Sequence, residues 1–144
     1  MKTLMATAAV SVLLLAACSS AGGTGATKVN GASARTVNAT LTDSKIVLDQ
    51  ASVPSGKITF QVKNAGTMVH EVVVLKTDLA ADKILADPDE AGKMSEDGSQ
   101  GESGDLDPST VKTFTLDLEP GNYVLICNQP AHYALGMHIP FVVK

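Results

Sequence analysis

The stretch LEPGNYVLICNQPAHYALGM, residues 118–137, holds the pattern that decides how this 144-residue chain is interpreted. It begins with a Pro-Gly turn signal and continues as an apolar run. Cys127, His132 and Met137 follow in a C-x4-H-x4-M pattern, ahead of another apolar run at residues 139–143. The pattern predicts two strands joined by a loop that carries three potential metal ligands.

Segments outside this stretch alternate between polar and apolar residues with the period of a β-strand. The clearest are residues 57–63 and 113–118, in which every second side chain is apolar. Turn signals rich in Pro, Gly and Asn separate the segments. About seven short strands favour an all-β sandwich or barrel. The remaining candidates are residues 36–42, 45–49, 72–75, 123–126 and 139–143.

Residues 78–107 interrupt the strand pattern with an acidic segment. They hold ten acidic residues and two lysines, a net charge of −8, whereas the whole chain carries −4. We expect a short helix over residues 79–86 followed by an acidic loop. The segment is either a solvated loop or a surface that steers a basic partner. With only 11 Lys and Arg, the chain has no electrostatic footprint for nucleic acid.

A further histidine, His70, stands at the start of an apolar run upstream of Cys127. One thiolate, two imidazoles and one thioether are typical of a trigonal His2Cys copper site with a weak axial methionine. The imidazoles suit both Cu(II) and Cu(I), and the thioether is a poor donor that favours the reduced ion. Taken singly, Cys127 or Met137 would be a core residue and His70 a turn residue. Their combination and strand context indicate a metal site.

The set resembles the cupredoxin family, the small blue-copper proteins, over most of residues 36–144. The shared features are the Asn-Ala-Gly turn at residues 64–66 ahead of His70, the loop pattern and the final strand. The four-residue gaps are similar to those of auracyanin, rusticyanin and sulfocyanin. The resemblance implies a Greek-key β-sandwich that binds one copper ion, as Cu(II) or Cu(I), through His70, Cys127, His132 and Met137.

Two residues, Glu71 and His138, directly follow potential ligands in the sequence. Many family members carry asparagine directly after the first histidine, where it tethers the cysteine loop, but this chain has Glu71. Because side chains alternate along a strand, we expect Glu71 at the surface or beside the ligands, and His138 at the rim. A metal-binding His138 is the less favoured alternative. Asn64 and Asn128 are further candidates for hydrogen bonds around the site.

The beginning of the chain has the features of a secretory signal. Residues 1–17 combine Lys2 with an uncharged apolar run that is too short to span a bilayer. Leu15-Ala16-Ala17-Cys18 is similar to a bacterial lipobox, which implies lipidation of Cys18 and an extracytoplasmic, membrane-anchored protein. The alternative is an ordinary signal peptide with a chance cysteine. Residues 18–35 are rich in Ser, Gly and Ala and predict a flexible linker ahead of the domain.

The resemblance implies an electron carrier rather than an enzyme, with redox proteins as partners and no small-molecule substrate. In the family, the edge of the second histidine of the set, here His132, reaches the surface through an apolar patch. Copper storage or delivery would use the same ligands, but the chain lacks further clusters of Met or His. A catalytic copper site would need an open coordination position or a second metal.

Overall fold

The computed structural model describes residues 35–144, so the predicted signal, Cys18 and nearly all of the predicted linker lie outside the described residues. These residues form the strands β1 Arg35–Thr42, β2 Lys45–Leu48, β3 Ser52–Val53, β4 Gly56–Asn64, β5 Val73–Lys76, β6 Ser99–Glu102, β7 Val111–Leu118, β8 Gly121–Ile126 and β9 His138–Val143. The described strands make two sheets, with strand orders β2-β1-β4-β7 and β3-β9-β8-β5-β6. The prediction of an all-β sandwich is confirmed. Within residues 35–144, no helix has the length and apolar character needed to cross a membrane.

The first sheet follows the alternation of its sequence. Strand β4 pairs with β1 in parallel and with β7 antiparallel. Its Ile58, Phe60 and Val62 are fully buried, whereas the residues between them are more exposed. The Phe60 ring lies 5.3 Å from Phe114 in this sheet and 5.7 Å from Phe141 in the other. These aromatic contacts join the two sheets across the core.

The second sheet contains the continuous apolar runs, because both of its faces are covered around β5 and β8. One face belongs to the main core, which includes Val74 and Leu125. The other face packs under the acidic segment, where Val73 and Val124 form a second buried cluster with Ile84. A strand that is covered on both faces loses its alternation, which explains why these runs are apolar throughout.

The acidic segment has more strand and less helix than the sequence predicts. The helix expected over residues 79–86 is reduced to a single 3₁₀ turn at Ala81–Lys83, and the chain is extended again at Ile84. Strand β6 lies within the segment and pairs antiparallel with β5. Its sequence, SQGE, has no apolar period, so only the backbone pairing with β5 makes it a strand.

Candidate metal centre

The ligand residues meet at one edge of the second sheet. Strands β5 and β8 are antiparallel neighbours, and Val73 at the start of β5 faces Ile126 at the end of β8. The chain entering β5 and the chain leaving β8 therefore lie side by side, which brings His70 next to Cys127. His132 belongs to the loop between β8 and β9, and Met137 precedes β9 directly.

Three donor atoms form a compact triangle at this edge. Nδ1 of His70 lies 3.1 Å from Nδ1 of His132, and Sγ of Cys127 lies 3.7 Å and 3.4 Å from these two atoms. The point equidistant from the three corners of this triangle is about 2.0 Å from each atom, against about 2.0–2.1 Å for zinc–nitrogen and about 2.3 Å for zinc–thiolate bonds. The triangle has the size that a transition-metal ion requires.

Met137 is enclosed with the triangle. It is fully buried in the same core cluster as Cys127. Its carbonyl accepts the N–H of Cys127 at 2.9 Å, and its own N–H donates to the carbonyl of His132 at 3.3 Å. The ligand loop thus closes on itself and holds the thioether residue beside the thiol.

The environment sets the protonation of the donors. Burial raises the pKa of the Cys127 thiol, against the opposing effect of the Glu71 N–H that points at its sulfur. Burial and the neighbouring His70 lower the pKa of His132. Without a metal the site therefore favours a neutral thiol beside a neutral imidazole, and a bound metal ion would displace the thiol proton. This donor set fits a soft or borderline metal ion.

On the opposite side of its ring, His70 meets Asp43, a contact that the sequence did not predict. Nε2 of His70 donates to Oδ1 of Asp43 at 3.1 Å. Hydrogen bonds from the Thr67 side chain and backbone are the main reason that the pKa of Asp43 lies well below its usual range. An aspartate in a strand-to-strand turn is an ordinary turn former, so the sequence carried no signal for this contact.

The loop that delivers His70 is shaped by Asn64, which is fully buried. Its Nδ2 donates to the carbonyls of Met68 and Leu106 at 2.8 and 2.9 Å, and its Oδ1 accepts the N–H of Gly66 at 2.8 Å. Asn64 contacts the loop rather than the ligand atoms. Its hydrogen bonds determine the path of the chain from β4 to His70.

Comparison with known proteins relies on structure. No family model and no curated protein matches the sequence. The dithionite-reduced auracyanin of Roseiflexus castenholzii is 26% identical, with a TM-score of 0.59 over 77% of this chain and 98% of that chain. Auracyanin A of Chloroflexus aurantiacus, a "blue" copper protein, is 21% identical, with a TM-score of 0.56 over 78% and 100%. Rusticyanin of Thiobacillus ferrooxidans is 19% identical, with a TM-score of 0.53 over 78% and 79%.

The fold is a cupredoxin fold. The cupredoxins that this chain resembles are electron-transfer carriers, not enzymes. This chain has a site of the type that binds one copper ion in cupredoxins, formed by His70, Cys127, His132 and Met137.

Glu71 occupies the cupredoxin position at which asparagine often tethers the cysteine loop. Its backbone N–H donates to Sγ of Cys127 at 3.5 Å, so the residue lies beside the ligands rather than at the surface. The residue is buried. Burial, followed by the charges of Glu102 and Asp105, raises the pKa of its carboxyl to about 7. Glu71 therefore brings a buried carboxyl group, not a tether, to this position.

Asn128, directly after the cysteine, tethers the ligand loop from the other side. Its Oδ1 accepts the N–H of Met94 at 2.7 Å, and its Nδ2 donates to the Met94 carbonyl at 3.0 Å and to Glu96 at 2.8 Å. Asn128 is almost fully buried. The ligand loop of this chain is thus bound to its acidic segment.

Two further contacts join the acidic segment to the ligand loop. The N–H of Ala131 donates to the carbonyl of Gly92 at 2.7 Å. The Tyr133 hydroxyl donates to the carbonyl of Ala81 at 2.7 Å and accepts the N–H of Ile84 at 3.0 Å. Part of the acidic segment is therefore hydrogen-bonded to the ligand loop. A solvated loop describes only the rest of the segment.

His138 lies outside the donor triangle. Its ring packs against Tyr133 with 4.7 Å between ring centroids, and its side chain is half-buried at the start of β9. Among the described residues, the cluster of potential metal ligands contains His70, Cys127 and His132, and His138 is not part of it.

Proposed function

We propose that this protein is a mononuclear type 1 copper protein that carries single electrons between redox partners. The observation that carries the proposal is the triangle of His70 Nδ1, Cys127 Sγ and His132 Nδ1, with no separation above 3.7 Å. Met137 is buried beside it in a cupredoxin fold. When bound, copper supplies the Cu(II)/Cu(I) couple that stores one electron.

Burial of the site supports electron transfer over substrate chemistry. The side chains of His70, Cys127 and Met137 are fully buried, whereas His132 is partly exposed. A reaction on a substrate needs an open ligand position that the substrate can reach. An electron needs only a short path to the surface, and the edge of His132 provides one.

Rigidity of the ligand loop supports the same function. The loop is held by its own backbone hydrogen bonds and by the bonds of Asn128, Ala131 and Tyr133 to the acidic segment. A preorganised site costs little rearrangement when its charge changes. Residues that keep the donors in place in both oxidation states therefore favour rapid electron exchange.

Exposed apolar residues in the ligand loop and in the loop ahead of His70 provide a contact surface for a partner. Leu135 is 56% exposed and Met68 is 39% exposed. Pro130, Ala131 and Ala134 are exposed as well. An apolar surface of this kind lets a redox protein approach the edge of His132 without a large cost in desolvation.

The acidic segment steers partners that carry positive charge. It bears a net charge of −8 and is bound to the ligand loop, so its electric field acts close to His132. Electron transfer to a basic haem protein should slow steeply with added salt. Asp89→Asn combined with Asp97→Asn should weaken this dependence, whereas Asp117→Asn on β7 should not. A rate that is independent of salt would reduce the segment to a structural role.

We further propose that the protein works outside the cytoplasm, anchored by lipid on Cys18. The support is the signal-like segment and lipobox at residues 1–18. A linker of residues 18–35 would confine the domain near membrane redox complexes. Mass spectrometry of the membrane fraction tests this, since lipidation should be absent in Cys18→Ala.

Addition of Cu(II) to the purified protein tests the main proposal. An intense visible charge-transfer band should appear, and Cys127→Ser should abolish it. His138→Ala is the matched control and should keep the band. The bound metal should be reduced and reoxidised without loss to a chelator; ready loss would favour copper storage or delivery instead. A colourless protein would contradict both the ligand set and the function.

A further inference from the structure

We propose that Asp43 is a positioning residue of the metal centre. It fixes the ring of His70 with Nδ1 toward the metal, and its negative charge favours Cu(II) over Cu(I). The inference rests on the proposed function and deepens it, because it assigns the control of the reduction potential to a residue outside the ligand set.

The hydrogen bond between the two residues decides which ring nitrogen carries the proton. Nε2 of His70 lies 3.1 Å from Oδ1 of Asp43, while Nδ1 faces the other two donor atoms. An ionised carboxylate can only accept a hydrogen bond, so the proton resides on Nε2. Nδ1 keeps its lone pair for the metal, and the ring cannot rotate without losing the bond.

The carboxylate is itself held in place by the loop ahead of His70. The backbone N–H of Thr67 donates to Oδ1 at 2.8 Å, the Thr67 hydroxyl donates to Oδ2 at 2.8 Å, and the N–H of Met68 donates to Oδ1 at 3.2 Å. Asp43 lies in the β1–β2 turn, far from His70 in the sequence. The contact joins this turn to the ligand and is held by several donors.

Gly66 leaves the space that this contact needs. A Cβ atom at this position would lie 2.2 Å from Oδ1 of Asp43 and 2.8 Å from Nε2 of His70. Both distances are shorter than non-bonded atoms allow. The loop therefore passes directly over the hydrogen bond, and any larger residue would push the carboxylate away from the ring.

The second histidine of the triangle, His132, has no equivalent partner among the described residues. Nε2 of His132 makes no side-chain hydrogen bond within residues 35–144, and its ring is partly exposed. The hydrogen bond of Asp43 therefore reaches the donor triangle through His70. The two imidazoles differ in role, because one is fixed and polarised by a carboxylate and the other leads to the surface.

The charge of Asp43 distinguishes the two oxidation states. Cu(II) has one more positive charge than Cu(I), so a nearby carboxylate stabilises it more. Asp43 is partly exposed, with 36% of its side chain accessible, so solvent screens part of this effect. We expect that removal of the charge lowers the affinity for Cu(II) relative to Cu(I) about tenfold, which corresponds to a rise of about 59 mV in potential.

The substitution Asp43→Asn tests the effect of the charge, since the amide keeps a similar shape and an acceptor oxygen. The reduction potential of Asp43→Asn should rise by about 59 mV. The visible charge-transfer band should be kept. Asp49→Asn is the matched control, because Asp49 is an exposed aspartate near the same hairpin that accepts bonds from Asn38 at 2.9 and 2.6 Å. Its potential should equal that of the wild type. Equal potentials in all three proteins would overturn the proposal.

The tautomer of His70 tests the positioning independently of copper. In ¹⁵N-edited NMR of the metal-free protein, His70 should carry its proton on Nε2 in the wild type, and Asp43→Ala should lose this preference. A wild-type ring protonated on Nδ1 would overturn the proposal whether or not the variants fold. If instead the wild type shows the expected tautomer but gives no visible band with Cu(II), the proposed function fails and the positioning by Asp43 stands.

Discussion

The two sides of the metal centre are built from different chemistry. On the side of His70, the contact with the ligand is a charged carboxylate, Asp43, supplied by the β1–β2 turn. On the side of the ligand loop, the contacts from the acidic segment to Asn128, Ala131 and Tyr133 come mainly from neutral amide, hydroxyl and backbone groups. The segment that carries most of the negative charge thus holds the loop largely with uncharged bonds.

The reduction potential and the rigidity of the metal centre are therefore controlled from separate places. A carboxylate against a ligand acts differently on two oxidation states, because their charges differ. Neutral hydrogen bonds act almost equally on both, and they resist movement of the loop. Substitutions on the Asp43 side should therefore move the reduction potential, whereas substitutions on the segment side should move stability and metal retention.

The largest expected effect on stability is that of Asn128→Ala. The variant loses three partly buried hydrogen bonds and leaves the N–H of Met94 without a partner, which should cost about 2–4 kcal/mol of unfolding free energy. Denaturant titration of the metal-free protein measures the loss. Gln129→Ala removes a neighbouring amide that bonds Asp105 at the surface and should cost about 0.5 kcal/mol or less. If Asn128→Ala also raised the potential as much as Asp43→Asn, the separation of roles would be wrong.

Gly66→Ala tests the Asp43 side of the metal centre. The added Cβ would overlap the hydrogen bond between Asp43 and His70, and forced overpacking should cost about 1–3 kcal/mol. Displacement of the Asp43 carboxylate from His70 should also raise the reduction potential. Asn128→Ala should leave the reduction potential unchanged. In the background of Asp43→Ala, the substitution should cost less, because one of the two overlapping groups is gone. Equal costs in both backgrounds would show that the overlap with Asp43 is unimportant.

Glu71 brings a buried carboxyl group to the segment side. The pKa of this carboxyl is raised from 4.5 to about 7 by burial, so the folded protein holds a proton that the unfolded chain releases. The stabilising effect is fully present below pH 4.5 and is lost as the pH rises to about 7. After allowance for solvent screening, the loss should be about 1–2 kcal/mol.

Comparison of the wild type with Glu71→Gln isolates this effect. The stability difference between the two metal-free proteins should change between pH 4.5 and about 7 in favour of the variant, since every other ionisable group is present in both. A difference that stays constant with pH would mean that the carboxyl is ionised normally in the folded protein.

The smallest expected effect is that of Tyr133→Phe, which removes the hydroxyl that bonds Ala81 and Ile84. The unfolding free energy should fall by about 1 kcal/mol, and release of the metal to a chelator should become faster. Tyr123→Phe is the matched control, because its hydroxyl bonds the Glu119 carbonyl at 2.8 Å, outside the ligand loop. It should cost a similar free energy without a change in metal release. Equal release rates would show that the segment does not stiffen the loop.

Much of the architecture could be predicted because strand periodicity is a local property. The alternation in residues 57–63 shows which side chains are buried in β4 without reference to any other strand. Strand β6 could not be predicted, because its polar residues become a strand only through pairing with β5. The helix predicted at residues 79–86 was largely wrong, because the segment packs Ile84 onto the sheet and bonds Tyr133 instead.

The ligand residues could likewise be predicted where the signal is local in the sequence. Cys127, His132 and Met137 stand close together in the sequence, so a short loop between two strands is enough to bring them near one another. Their donor types and even spacing are sufficient to predict a metal site. His70 could be predicted as a ligand only in combination with these three residues and from the resemblance to cupredoxins. The antiparallel pairing of β5 with β8 explains its place beside Cys127.

The amino-acid sequence was sufficient for seven of the nine described strands, the all-β class and the chemistry of the ligand set, since these depend on residue type and short-range spacing. The partners that the ligands and their neighbours meet depend on the tertiary structure. Asp43 meets His70 across 27 residues, and Asn128 meets Met94 across 34. Such contacts leave no periodic trace in the chain, because one hydrogen bond between distant turns depends on how the whole sandwich closes. The identity of the ligands is therefore local in origin, whereas the control of their charge and rigidity is a property of the fold.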